Sequence, residues 1–144
     1  MAFCPIYGTR LVREGTVQYR GKADSTTAAG EICRKLLADR PTEQVVSVLL
    51  DSHKQIIGVA RVTVGTLDCS LIHPREFFRP AILANAQAII MAHNHPSGEL
   101  EPSSQDIECY RRLMKGGELL GIVCLDSIIV SDVASFSLRD GGYR

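Results

Sequence analysis

The stretch MAHNHPSGELEPSSQD, residues Met91–Asp106, places two histidines among turn-forming and acidic residues directly after the apolar run AILANAQAII. The segment AIIMAH, where the two meet, is too short and too apolar for a surface helix, and this predicts a buried strand. Pro96 and Gly98 predict a turn where that strand ends. The histidines are therefore expected at the end of a central strand.

The spacing within this stretch predicts a metal site. His93 and His95 are two residues apart, and side chains alternate along a strand, so both imidazoles are expected on one side. Asp106 falls in the predicted first turn of the following helix, and the intervening turn can bring it back to the imidazoles. Two histidines and a carboxylate are the ligands of an open catalytic zinc. The same residues also fit a hydrogen-bonded histidine and a capping box, Ser103-x-x-Asp106.

The segments before this stretch predict a helix, a hairpin and a second helix. DSTTAAGEICRKLLADRP predicts a helix with its N-cap in Ser25–Thr27 and its end near Asp39. QVVSVLLDSHKQIIGVARVTVGT predicts two buried strands joined by a polar turn at Asp51–Lys54. HPREFFRPAILANAQ predicts a helix, with an early kink at Pro80 or a start near it.

The segments that follow complete an α/β fold. SSQDIECYRRLMKGGELLG predicts a helix over Ser103–Lys115, closed by Gly116 and Gly117. GIVCLDSIIVSD predicts another buried strand, and SFSLRDGGYR a tail. The order α, β, β, α, β, α, β predicts a mixed β-sheet flanked by helices.

Composition limits the classes of function. A chain of 144 residues fits one domain, and 45% hydrophobic and 22% charged residues are typical of a globular protein. Sixteen basic and sixteen acidic residues cancel, so no overall field attracts nucleic acid or an anionic membrane. The five cysteines never form CxxC, which counts against a thiolate zinc site. With no signal peptide or membrane-length apolar run, the cytoplasm is the expected compartment.

A family resemblance extends these inferences. HNHPSGELEPSSQD resembles the JAMM signature, HxHPx(6)Sx(2)D, of the MPN-type metallopeptidases. Within that superfamily, GTLDCSLIHPREFFRPAILANAQAIIMAHNHPSGELEPSSQD is similar to the GTL…HPRE…HNHPSG…PSxxD series of the RadC group, sometimes called DNA-repair proteins. Looser similarity covers about residues 42–136. The resemblance implies a JAMM/MPN fold related to the cytidine deaminases, with zinc (Zn2+) held by His93, His95 and Asp106.

The resemblance also implies catalytic roles. Glu43, before an early strand, is in the place of the JAMM acid/base; Glu76 of HPRE is the rival glutamate, and it also suits the start of a helix. Ser103 matches the serine that helps to stabilise the oxyanion, and it also suits a helix N-cap. In the implied reaction Glu43 takes a proton from a zinc-bound water whose pKa is lowered from ~15.7 towards ~7, and passes it to the leaving amine.

Three functions follow from this resemblance. The first is a zinc metallopeptidase or isopeptidase acting on a peptide or on an isopeptide-linked protein. The second is a RadC-like DNA-repair-associated factor or nuclease, and the third is a non-catalytic zinc-stabilised interaction domain. Neutral charge counts against nucleic acid, as does the expectation that residues 1–144 form one domain without the helix-hairpin-helix region common in RadC-like proteins. The H-x-E…P-C-x-x-C pattern of zinc deaminases is absent.

One departure from the RadC pattern affects the site. The sequence has Leu125-Asp126-Ser127 where the group commonly shows Asp followed by His. A contact that supports a metal ligand is therefore expected to be lost or replaced there, with Asp126 either orienting a ligand or closing a strand end. The sequence gives no prediction of oligomeric state.

Overall fold

The protein contains a mixed sheet with helices on both faces, which confirms the predicted mixed sheet flanked by helices, and the sheet has five strands where four were predicted. The computed structural model describes residues 1–19, 26–37, 40–64 and 72–144. The strand order is β2-β1-β3-β4-β5, and only β3 and β4 are parallel. The elements are α1 (Thr26–Leu37), β1 (Gln44–Leu50), β2 (Ile56–Val64), α2 (Pro74–Leu83), β3 (Ala88–Asn94), α3 (Ser104–Leu120), β4 (Val123–Val130) and β5 (Ser135–Ser137).

Helices cover the sheet because its central strands are apolar on both faces. Every residue of β1 and β3 is buried. Alternate residues enter two cores. The first, under α2 and α3, includes Val45, Met91, Phe77, Phe78 and Leu113. The second, under α1, includes Val46, Ile90, Ala92, Cys33 and Leu37.

The predicted hairpin and the first helix are present. β1 and β2 pair antiparallel, and the Lys54 amide donates to the Asp51 carbonyl in the turn between them. The predicted cap at Ser25 and helix end near Asp39 lie outside the described residues. Among the described residues, none of the helices is long and apolar enough to cross a membrane.

Of the two alternatives predicted for the second helix, an early kink at Pro80 or a start near it, the start near Pro80 is wrong. α2 begins at Pro74 and continues through Pro80. The Nδ1 atom of His73 accepts the Arg75 amide at 3.1 Å and so caps the helix, while proline at the first helical position carries no amide that needs a partner. Burial of Phe77 and Phe78 stabilises the helix although Pro80 cannot donate a helical hydrogen bond.

The predicted end of the third helix at Gly116 and Gly117 is also wrong. α3 continues to Leu120 and ends at Gly121, whose φ of 69° lies in the left-handed region that favours glycine. Gly117 is needed for close packing instead, because a Cβ there would lie 2.2 Å from the Ile122 carbonyl oxygen. The two glycines therefore bring the helix against its neighbours rather than ending it.

The C-terminal segment is ordered against the sheet, so the prediction of a tail is wrong. β5 pairs antiparallel with β4, and Leu138 is fully buried. The buried Asp126 carboxylate accepts hydrogen bonds from the Arg139 amide and the Ser137 hydroxyl. Burial raises the pKa of Asp126, and these hydrogen bonds oppose the rise. Asp126 lies within β4 rather than at its end, so the prediction that it closes a strand end is wrong. Its hydrogen bonds hold the C-terminal segment beside the sheet.

Candidate metal centre

His93 lies near the end of β3, where the sheet fixes its direction. Its backbone pairs with Val45 of β1 and Ile129 of β4, and its side chain is fully buried. It has the same strand parity as Met91, which faces the core beneath α3. The imidazole therefore points towards the start of that helix.

His95 follows the strand and is oriented by the turn. Its Nδ1 atom lies 2.8 Å from the Glu99 carbonyl oxygen. A carbonyl oxygen can only accept a hydrogen bond, so Nδ1 of His95 must carry a hydrogen and donate it. The Gly98 amide donates to the His95 carbonyl at 2.9 Å, and the φ of 83° at Gly98 explains the glycine. These bonds leave Nε2 as the nitrogen that can bind a metal.

Asp106 serves the helix and the histidines together. In the first turn of α3 it forms a capping box: its Oδ2 accepts the Ser103 amide at 2.9 Å, and its own amide donates to the Ser103 hydroxyl oxygen at 3.1 Å. Its oxygens also lie 3.1 Å from Nε2 of His93 and 3.2 Å from Nε2 of His95. The capping and metal-site interpretations are therefore compatible.

The three side chains converge as ligands of one ion would. The two Nε2 atoms are 3.0 Å apart, so the closest approaches between the three side chains are 3.0, 3.1 and 3.2 Å. Nitrogen and oxygen ligands of a tetrahedral zinc, each ~2.0–2.1 Å from the ion, lie about 3.3 Å apart. Within the described part of the chain, this is the one His/Cys/Asp/Glu cluster that could hold a metal. Its donors and spacing fit zinc.

The electrostatics of the cluster favour a bound cation. Burial alone would raise the pKa of Asp106, but hydrogen bonds from His93, His95 and the Ser103 amide hold it well below the usual range. The hydrogen bond to Asp106 raises the pKa of His95; burial opposes this, and the charges of Asp106 and Glu43 add to it. A buried carboxylate whose pKa is held this low is stabilised by positive charge, which a cation bound between the three side chains would supply.

One buried nitrogen at the centre lacks the usual support. A histidine that binds a metal through one nitrogen generally donates the hydrogen on the other, yet Nδ1 of His93 has no partner among the described residues. The Ser127 hydroxyl, on the same face of neighbouring β4, is also buried without a partner there. Ser127 is the position where the RadC pattern commonly has histidine, so the departure seen in the sequence falls beside this ligand.

The two glutamates have different surroundings. Glu43 precedes β1, is partly buried, and lies near enough to His95 for its charge to contribute, after Asp106, to the raised pKa of that histidine. Glu76 lies on α2, where its carboxylate accepts two hydrogen bonds from Arg79, at 3.0 and 3.2 Å. Glu43 is thus the glutamate whose charge affects the cluster, while the carboxylate of Glu76 is paired with Arg79.

Ser103 lies at the N-cap of α3, where its hydroxyl oxygen accepts the Asp106 amide. Accepting this bond does not use the hydroxyl hydrogen, which remains able to donate to a further group. The side chain is exposed. The N-cap interpretation is confirmed, and the predicted role at an oxyanion is compatible with it.

The sequence analysis missed Asn94, which lies between the two histidines. Its amide oxygen accepts the Gln44 amide at 2.7 Å, and its amide nitrogen donates to the Thr42 carbonyl at 3.1 Å. The feature of the sequence that could have revealed Asn94 is a polar residue on the apolar side of a buried strand. Both partners flank Glu43 in the chain.

A groove of about 240 Å³ opens beside His95. It lies between the end of α1 and the ends of β3 and β4, and the charged side chains of Arg40 and Asp132 line it together with Asn94 and Ser131. The apolar residues Leu37, Pro96 and Val130 complete the lining, so the groove offers both polar and apolar contacts. A chain with both kinds of group can therefore contact His95 from this side.

Comparisons with known proteins identify the family. The profile of the RadC-like JAB domain family matches residues 23–143. A "UPF0758 protein" of Latilactobacillus sakei is 39% identical over 142 residues, covering 99% of this chain and 62% of that protein. One from Thermotoga maritima is 42% identical over 135 residues (94% and 60%), and one from Desulfitobacterium hafniense 47% over 104 residues (72% and 45%). The chain spans about half to three fifths of the length of these relatives. It belongs to the RadC-like JAB domain family.

Proposed function

We propose that this protein is a zinc-dependent hydrolase that cleaves an amide or isopeptide bond. His93, His95 and Asp106 hold the ion, and Glu43 is the acid/base. The supporting observation is the convergence of three donor side chains, 3.0–3.2 Å apart at closest approach, beside a partly buried glutamate. A zinc ion held by these three residues would supply an acidified water and a polarised carbonyl.

The donor number favours catalysis over a purely structural ion. Structural zinc sites are closed by four protein ligands, whereas catalytic sites use three and leave one position open. Among the residues that the structure describes, the cluster has three, and the side chain of His95 is 18% exposed, so solvent reaches one side of it. The groove beside His95 gives a polypeptide chain a path to that side.

The remaining residues have separate roles in the proposed reaction. Glu43 accepts a proton from the attacking water and returns it to the leaving amine, as a carboxylate beside a cation can. Ser103 donates its hydroxyl hydrogen to the oxygen that gains charge when the carbonyl is attacked. Asp106 supplies the third ligand from the first turn of α3, where the Ser103 amide orients its carboxylate.

The first experiment measures metal content. Purified protein is reconstituted with zinc, dialysed against a weak chelator and analysed for metal, with His95→Ala and Asp106→Ala beside it. His53→Ala is the matched control, because His53 is exposed in the β1–β2 turn. We expect one zinc per chain in wild type and control, and its loss in both cluster variants. A wild type that retains none contradicts the proposal.

The second experiment tests the reaction and the acid/base together. Zinc-loaded protein is assayed on a peptide, on a substrate with a lysine ε-amide bond, and on single-stranded DNA. Glu43→Gln should lower kcat for amide hydrolysis by about 100- to 10,000-fold, to a residual rate that can still be measured, while zinc content is unchanged. Glu76→Gln should retain activity. If the protein cleaves DNA but neither amide substrate, the proposed substrate class is wrong. If Glu76→Gln loses activity and Glu43→Gln does not, Glu76 is the acid/base.

A further inference from the structure

Asn94 makes two hydrogen bonds that reach both sides of Glu43. Its side chain is buried, with 3% of the residue exposed. Its oxygen accepts the amide of Gln44 at 2.7 Å, and its nitrogen donates to the carbonyl of Thr42 at 3.1 Å. A carbonyl can only accept and an amide N–H can only donate, so these partners fix which end of the Asn94 side chain is which.

The strand register explains why a side chain makes these bonds. The antiparallel ladder between β1 and β3 has Val45 opposite His93 as its last pair. In the same register Gln44 would come next, opposite Asn94, yet the Asn94 side chain takes the Gln44 amide instead. The chain before β1 is thus attached to the end of the strand that carries the histidines.

The attachment directs Glu43 to the metal centre. Side chains alternate along β1, and Glu43 has the same parity as Val45, which faces the side of the sheet where His93 points. In the register of the β1–β3 ladder, Glu43 would come opposite His95. The two bonds from Asn94 hold the residues before and after Glu43, so they limit the movement of its backbone in both directions.

We infer that Asn94 is a positioning residue that holds Glu43 beside the metal centre. The inference rests on the proposed function, in which Glu43 moves the proton. Asn94 lies between the two metal ligands His93 and His95 in the chain. The same short strand end therefore sets the distance between the ion and Glu43, the acid/base. A displacement of about 1 Å of a reacting group can cost on the order of 100-fold in rate, which gives this attachment a kinetic consequence.

The first test does not require activity. Asn94→Ala removes both hydrogen bonds, and Asn94→Asp keeps the oxygen that accepts the Gln44 amide but has no hydrogen for Thr42. We expect hydrogen exchange of the Gln44 amide, followed by NMR, to be about tenfold faster in Asn94→Ala and within about twofold of wild type in Asn94→Asp. Zinc content should stay at the wild-type value in both, since the ligands are unchanged. Unchanged exchange in Asn94→Ala would overturn the attachment.

The second test asks whether Asn94 acts through Glu43. In zinc-loaded protein, Asn94→Ala should lower kcat by about 10- to 100-fold with KM within about twofold. In the Glu43→Gln background the same change should have no further effect, because there is no acid/base left to position. An equal loss in both backgrounds would show that Asn94 acts by another route and overturn the inference. If Asn94→Ala does not fold, Asn94→Asp is tested in its place. It keeps the Gln44 bond but sets an acceptor oxygen against the Thr42 carbonyl, so it should also lower kcat, and this loss should vanish with Glu43→Gln.

The outcomes separate this inference from the proposed function. If the wild-type protein binds no zinc or cleaves no amide, the proposed function is refuted, whatever the exchange rate of the Gln44 amide. A wild type that holds zinc and is active, with Asn94→Ala equal to it in kcat, refutes only the role of Asn94.

Discussion

Replacing Gly117 by alanine tests the close packing of α3 against the start of β4. The added Cβ would lie 2.2 Å from the Ile122 carbonyl oxygen and 3.3 Å from the Cys124 amide nitrogen. Ordinary contact between such atoms needs more than 3 Å, so the helix and the strand must separate by about 1 Å. Both neighbours are backbone, and a rotamer change cannot relieve the clash.

The expected magnitude combines two opposing effects. Overpacking costs about 1–3 kcal/mol, with backbone clashes at the upper end, while alanine is favoured over glycine within a helix by about 1 kcal/mol. We expect the free energy of unfolding to fall by about 2 kcal/mol. Gly116→Ala is the matched control: its Cβ would meet the Phe78 ring at 3.2 Å, so a small ring shift and the helix preference should leave stability within about 0.5 kcal/mol of wild type.

Urea unfolding followed by circular dichroism measures both variants. Asp106 is eleven residues from Gly117 on α3, about 16 Å along the helix axis, so zinc content should be unchanged in each. Equal stability of Gly117→Ala and Gly116→Ala would refute the reasoning, because it would show that both glycines lie where the helix is already ending.

Three further predictions follow from the buried polar groups. In metal-free protein, the pKa of His95 is raised, so protonation of His95 stabilises the fold. This stabilisation is fully present below pH ~6.5 and is lost as the pH rises through the folded-state pKa. Urea unfolding measured against pH should show the loss, and His95→Gln should remove this pH dependence. Ser127→Ala should leave the free energy of unfolding within about 0.5 kcal/mol of wild type or raise it, because the buried hydroxyl has no partner among the described residues; a loss above about 1 kcal/mol would reveal one. Asp126→Ala should lower the free energy of unfolding by about 3 kcal/mol, because the Ser127 and Arg139 amides and the Ser137 hydroxyl lose their acceptor. Proteolysis should then begin at the C-terminal turn. A change under about 1 kcal/mol would contradict the role assigned to this carboxylate.

The strongest local patterns in the sequence predicted the sheet and its central strands. Apolar runs such as that ending at His93 have few ways to bury all their side chains, and a strand covered on both faces is one of them. The same physics made the hairpin at Asp51–Lys54 predictable, because β-branched runs on both sides of a short polar segment favour antiparallel pairing.

The errors arose where tertiary contacts overrode local preference. Gly116 and Gly117 resemble a helix end, but their role depends on the approach of Phe78 and Ile122, which no local pattern contains. Pro80 is tolerated inside α2 because neighbouring phenylalanines are buried. The C-terminal segment has only a few apolar residues, and its order depends on the burial of Leu138 in the core and on hydrogen bonds to the distant carboxylate of Asp126.

The candidate site was predictable in part for a similar reason. His93, His95 and Asp106 are close in sequence, so strand alternation and one turn were enough to place them together. Glu43 comes from another strand, and its place beside them follows from the pairing of β1 with β3. The role of Asn94 depends on the same pairing, so spacing alone could not reveal it.

X-ray absorption at the zinc edge of the reconstituted protein tests the central claim most directly. The structure predicts an ion bound only by nitrogen and oxygen at ~2.0–2.2 Å, with two imidazoles from His93 and His95 and a carboxylate from Asp106. His95→Ala should remove one imidazole contribution or the ion itself. A sulfur contribution at ~2.3 Å, or a spectrum identical in wild type and His95→Ala, would show that zinc binds elsewhere and contradict the site.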